Sequence, residues 1–106
     1  MKYFITESRL HDTVIKFLNN NYGGLEPFVS KKHPGHIFFI KDGEIIIEFT
    51  RVNGLALVSY EEVWDLLLNF FGFNFEEGQE IIKKWIIENY DLPVKHVTQY
   101  KWNIDL

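Results

Sequence analysis

The chain has 106 residues, a formal net charge of -4 and no cysteine. That length suits one hydrophobic core, so a single domain over residues 1–106 is expected. The lack of thiols excludes disulfides, thiolate zinc sites and cysteine catalysis, and the mild acidity works against nucleic acid or anionic lipid as a partner.

Aromatic residues make up 17% of the chain, enough large apolar surface to stabilise a small core without covalent staples. No apolar run approaches the ~18 residues that would span a bilayer, and the segment from Met1 to Glu7 becomes charged too early for a secretory signal. A soluble, cytoplasmic protein without membrane association is the expectation.

Lys2 to Ile5 reads as a short strand. Thr6 offers a capping oxygen, and Leu10, Val14, Phe17 and Leu18 then recur on one helical face. This first helix should end near Tyr22, where Gly23-Gly24 supplies residues that tolerate a left-handed close. From Leu25 to Gly35 the periodicity vanishes and a loop is predicted.

Two hairpins follow, with Asp42-Gly43 joining His36–Lys41 to Glu44–Val52, and Asn53-Gly54 leading on to Leu55–Ser59. If both turns are two-residue loops, Lys41 sits opposite Glu44 and Val52 opposite Leu55. One face then collects His36, Phe38, Ile40, Ile45, Ile47, Phe49, Ala56, Val58 and Tyr60, which is the expected core face. The other collects Ile37, Phe39, Lys41, Glu44, Ile46, Glu48, Thr50, Leu55, Leu57 and Ser59, and is too apolar for a fully wetted surface.

Ser59-Tyr60-Glu61-Glu62 has the spacing of a capping box and opens a second helix that Gly72 ends. Asn74-Phe75-Glu76-Glu77 repeats the pattern before Ile81, Ile82, Trp85 and Ile86, so a third helix runs to about Tyr90. Pro93 stops it, and Val94 to Trp102 has the composition of a closing strand. The order is (β)αβββααβ, an α+β domain with an antiparallel sheet of three to five strands and helices mainly on one face.

Chemistry-bearing residues are sparse. His33-Pro34-Gly35-His36 places two imidazoles beside a turn, but a third ligand is missing and no metal site or other cofactor is read from it. Lys31, Lys32, His33 and His36 form a cationic set that could hold a phosphate or carboxylate, although no recognised phosphate motif accompanies it. Glu44 and Glu48 alternate with isoleucines, and cross-strand Lys41 is the expected partner of Glu44. Ser8, Ser30 and Ser59 lack a nucleophile elbow. Phe39, Ile46, Leu55 and Leu57 on the mixed face, with Trp102, make a candidate partner surface.

Phe71-Gly72-Phe73, Glu76-Glu77, the run Glu80-Ile81-Ile82-Lys83-Lys84-Trp85 and Glu88 resemble small uncharacterised proteins encoded by tailed bacteriophages. The resemblance covers the helical half only and brings no catalytic or binding residue with it. It implies a viral setting, in the host cytoplasm or the virion. Three function classes follow. A non-enzymatic protein-binding module, engaging a host or virion protein or a second copy of itself as a homodimer, comes first by elimination. A small binder of an anionic, nucleotide-like ligand comes second, and a small hydrolase or nuclease third.

Overall fold

A computed structural model of the chain describes residues 7–101. The expected strand at Lys2 to Ile5, the Thr6 cap and Trp102 lie outside the described residues. Within them the order is α1 (Glu7–Tyr22), β1 (Pro27–Phe28), β2 (His36–Lys41), β3 (Glu44–Thr50) and β4 (Leu55–Ser59). A wide helix of two π-wound segments follows (Tyr60–Trp64 and Leu66–Phe70), then α2 (Phe75–Tyr90) and β5 (His96–Tyr100). The strands form one 5-stranded sheet in the order β1-β2-β3-β4-β5. This is the α+β architecture read from the sequence, with one addition and one change.

The addition is β1, a two-residue edge strand inside the predicted loop, pairing Pro27 with Phe39 and Phe28 with Phe38. Proline is tolerated there because an edge strand leaves its missing N–H facing outward. The change is that β5 runs parallel to β4, from Leu55 opposite His96 to Ser59 opposite Tyr100. The helices between the two strands carry the chain back to the starting end of β4, as a parallel pairing requires. Gly54 fixes the entry, since its carbonyl accepts from the N–H groups of both Lys95 (2.8 Å) and His96 (3.2 Å).

The first hairpin turn is the tight one predicted, with Asp42 and Gly43 both at positive φ (52° and 81°). Lys41 accordingly faces Glu44, but the register then shifts between Phe39 and Ile40, so that Ile40 faces Ile45 while Phe39 faces Ile47. Ile46 is the extra residue of a β-bulge. Beyond it every side chain of β2 changes face relative to the expectation. Ile37 and Phe39 are buried in the core, whereas His36 and Phe38 lie half-buried on the opposite side. The second hairpin also departs from its prediction, because Thr50 rather than Val52 pairs with Leu55, leaving a four-residue turn from Arg51 to Gly54. That shift is even, so Phe49, Ala56 and Val58 keep their predicted face.

The helices cover the face that carries Ile37, Phe39, Ile47, Phe49, Ala56, Val58 and Val97, and they complete one core with it. From α1 come Val14, Leu18 and Tyr22, and from α2 Ile81, Ile82, Trp85 and Ile86. Helix α1 ends at Tyr22 as expected, yet the left-handed glycines are elsewhere, at Gly35, Gly43, Gly54 and Gly72. At Gly23 the need is space instead: a Cβ there would come within 2.4 Å of the Asn19 carbonyl oxygen. The box at the start of α2 is complete, with Glu77 N–H donating to Asn74 Oδ1 (2.8 Å) and Asn74 N–H to Glu77 Oε1 (3.0 Å).

The helix after Ser59 starts where predicted, on a bond from Glu62 N–H to Ser59 Oγ (3.3 Å), but it is not an α-helix. Asp65 N–H donates to Tyr60 O and Phe71 N–H to Leu66 O, the i→i+5 spacing of a π-helix. Val63, Leu67 and the indole of Trp64 point inward, whereas Phe70 stands exposed. Trp64 stacks on Phe75 (ring centroids 4.8 Å apart, 14° between planes) and lies over Gly78, where a Cβ would meet its Cζ3 at 2.7 Å. Gly78→Ala therefore sets a helix-propensity gain of about 1 kcal/mol against a methyl pressed into a fully buried ring. The clash is expected to win, costing a net ~1–3 kcal/mol in urea unfolding, and an unchanged or raised midpoint would show that the ring has room to move.

Candidate binding surface

Alternation along the strands places the side chains of residues 36 and 38, 48 and 50, 55 and 57, and 96 and 98 on the side of the sheet away from the helices. Two cross-strand rows result. One runs His36, Thr50, Leu55, His96, and the other Phe28, Phe38, Glu48, Leu57, Thr98. Phe38, Leu55 and Leu57 are half-buried, while Phe28 is 52% exposed at the β1 edge and the neighbouring Val29 63%. Apolar groups at Phe28, Phe38, Leu55 and Leu57 thus lie on a face that no described helix covers, with Glu48 and Thr50 of β3 between those of β2 and β4.

At the β1 end the rings gather. His36 stacks on Phe38 (6.4 Å between centroids, 18°), His33 meets both edge-on (6.0 and 6.2 Å), and Phe28 leans on Phe38 at 6.5 Å. His36 Nδ1 lies 2.8 Å from Glu48 Oε2 and 3.4 Å from Thr50 Oγ1, which holds the imidazole against β3. A hydroxyl–imidazole–carboxylate relay needs the acid and the nucleophile on opposite ring nitrogens, and here both sit at Nδ1. This trio orients a ring and does not activate Thr50.

The cationic set read from the sequence is therefore only partly assembled. His33 and His36 come together, and Lys31 and Lys32 are exposed on the adjoining turn, where Lys32 N–H donates to Ser30 Oγ at 3.2 Å. Among the described residues no three His, Asp or Glu side chains converge as metal ligands. The expected partner surface needs correction. Leu55 and Leu57 lie on the open face, but Phe39 and Ile46 are 2% and 1% exposed and belong to the core, because the bulge exchanges the faces of β2. Sequence reading missed Phe38 and the pairing of Glu48 with His36 for the same reason, since on an unbulged register Phe38 points inward and Glu48 does not face His36, and it missed Phe28 because β1 fell inside the predicted loop.

Glu44 also differs from its expectation. Lys41 Nζ turns away, donating to the Asn21 carbonyl (3.0 Å) and resting 4.9 Å above the Tyr22 ring. Glu44 instead meets Glu62, and hydrogen bonding to that carboxyl, the charge of Glu62 and then those of Glu61 and Asp42 hold its pKa above the ordinary value. Tyr22 donates to the Glu62 carbonyl (3.1 Å) and carboxylate (3.2 Å), and burial followed by the Glu62 charge pushes its hydroxyl up to about 12.

The chain matches no protein family, no characterised protein and no solved structure against which it was compared. Among the described residues no helix is long and apolar enough to cross a membrane.

A carboxyl whose folded pKa is raised favours the folded state below its unfolded pKa, and that contribution is lost as pH rises through the folded value. At neutral pH the Glu44–Glu62 repulsion remains. Glu44→Gln is expected to raise the melting temperature at pH 7, modestly because the site is exposed, and less in high salt. The gain should disappear below about pH 4, where the wild-type carboxyl is itself protonated. A gain independent of pH would point to a cause other than charge.

Proposed function

We propose that the chain is a small protein-binding module that engages its partner through the open face of the sheet. The observation that carries this reading is the set of apolar side chains Phe38, Leu55 and Leu57, left uncovered by the helices and joined at the edge by exposed Phe28. Apolar groups interspersed with polar ones suit protein partners, and here Glu48 and Thr50 lie between the apolar groups while His36 and His96 stand beside them. The net charge of -4 argues against nucleic acid and anionic membranes as the occupant. The resemblance of the helical half to small phage proteins suggests a host or virion protein as the partner, and a second copy of the chain is the homodimeric form of the same reading.

Leu57→Lys puts a charge among these apolar groups without touching the core. It is expected to weaken partner capture at least ~10-fold, or to convert a dimer to a monomer in sedimentation, with an unchanged circular dichroism spectrum. Undiminished capture by this variant would remove the sheet face from the interface.

A second reading, an anionic nucleotide-like ligand, is favoured by the ring cluster of Phe28, His33, His36 and Phe38 beside Lys31 and Lys32. Rings of this kind stack on a base, and the lysines would meet a phosphate. Thermal-shift screening against nucleotides and phosphosugars should then give dose-dependent stabilisation that Lys31→Ala/Lys32→Ala abolishes. No shift with any compound leaves the protein partner as the reading.

A further inference from the structure

The helical side carries a separate surface that the sheet reading leaves unused. An open groove of about 440 Å3 runs between α1 and the wide helix, with Phe17, Leu66 and Phe70 as its apolar part and Glu61, Glu62 and Asp65 as its acidic part. Phe70 is 75% exposed. It stands edge-on to Phe71 (5.0 Å between centroids), which meets Phe17 at 6.3 Å, so the exposed ring is the outer end of an aromatic row anchored on α1. The π winding sets this row in place, and departures from α geometry recur at functional sites.

Among the described residues no salt bridge reaches Glu61, Glu62 or Asp65; Asp65 accepts from Asn69 Nδ2 (2.6 Å) and Glu62 from the Tyr22 hydroxyl. Glu44 and Asp42, at the neighbouring hairpin turn, add to the same negative field. Lys41, the nearby cation, is directed to the Asn21 carbonyl. A like-charged cluster beside an exposed aromatic is complementary to one chemistry, a cationic chain that also presents an apolar side chain.

We propose that this groove docks a basic amphipathic segment of a partner protein, its apolar side chain on Phe70 and its Lys or Arg residues against Glu61, Glu62 and Asp65. Face-to-face pairing of two copies is disfavoured, because a two-fold contact would set these acids against themselves.

The test is a titration of the full chain, followed by amide NMR shifts and fluorescence anisotropy, with a labelled amphipathic Leu/Lys helical peptide and its Leu/Glu counterpart. The Lys probe should bind, weaken with salt and shift amides of residues 61–71, while the Glu probe should not bind. Phe70→Ala should weaken binding about 10-fold or more, as truncation of an anchoring aromatic does. Asp65→Lys should weaken it at low salt, whereas Glu88→Lys, a charge reversal on α2, should leave it unchanged. Both groove positions are exposed, so the variants keep the fold. Equal binding of both probes, indifference to Phe70→Ala, an equal loss from Glu88→Lys, or no binding would each overturn the proposal. Leu57→Lys should leave this titration unaltered, which keeps failure of the sheet-face reading distinct from failure of this one.

Discussion

The register of β2 against β3 governs which side chains meet water. Ile46 enters β3 as an extra residue, and from there the pleat of β2 is turned over, so that Phe39 packs on Tyr90 at 4.3 Å while Phe38 joins His33 and His36 outside. Burying a phenylalanine side chain stabilises a fold by roughly 1.5–3 kcal/mol, and the bulge exchanges Phe38 for Phe39 in that role at the cost of a local break in the ladder. Three successive isoleucines, Ile45, Ile46 and Ile47, are all buried around it. The open face is in this sense a by-product of how the core is filled.

The helical layer is tied together by side chains at its far end. Trp85 Nε1 donates to Asn19 Oδ1 (2.8 Å), Asn89 Nδ2 to the Gly23 carbonyl (3.0 Å), and the Tyr90 hydroxyl to the Tyr22 carbonyl while it accepts from Leu25 N–H. The bonds to Tyr22 and Gly23 satisfy carbonyls that the end of α1 leaves orphaned. Burial raises the pKa of Tyr90, so the hydroxyl remains a donor over the ordinary pH range. With α1 held against α2, the wide helix joins the same layer, where Trp64 closes on Gly78.

The two surfaces differ in chemistry because they arise from different elements. On the sheet, period-two alternation mixes aliphatic, aromatic and imidazole groups in rows, and the hydrogen bond between His36 and Glu48 is internal to the face. On the helical side, the acids that favour the start of the helix after Ser59 accumulate near the hairpin acids, and among the described residues no salt bridge offsets their repulsion. The first surface is suited to shape and apolar contact, the second to charge.

Local signals in the sequence determined the elements: the Asn74–Glu77 box, the Asp42-Gly43 turn, the end of α1 at Tyr22, and the α+β order itself. Each depends on residues within a turn or two of one another, where propensity and capping act. The bulge at Ile46, the parallel placement of β5, the four-residue turn before Leu55 and the π winding were decided by tertiary packing. Local sequence is compatible with either register and either winding, and the choice follows from how Phe39, Trp64 and Tyr90 fill the space between sheet and helices. The candidate surface shared that fate. Leu55 and Leu57 were legible because an even shift preserves a face, whereas Phe39 and Ile46 were exchanged for Phe38 because a one-residue slip does not.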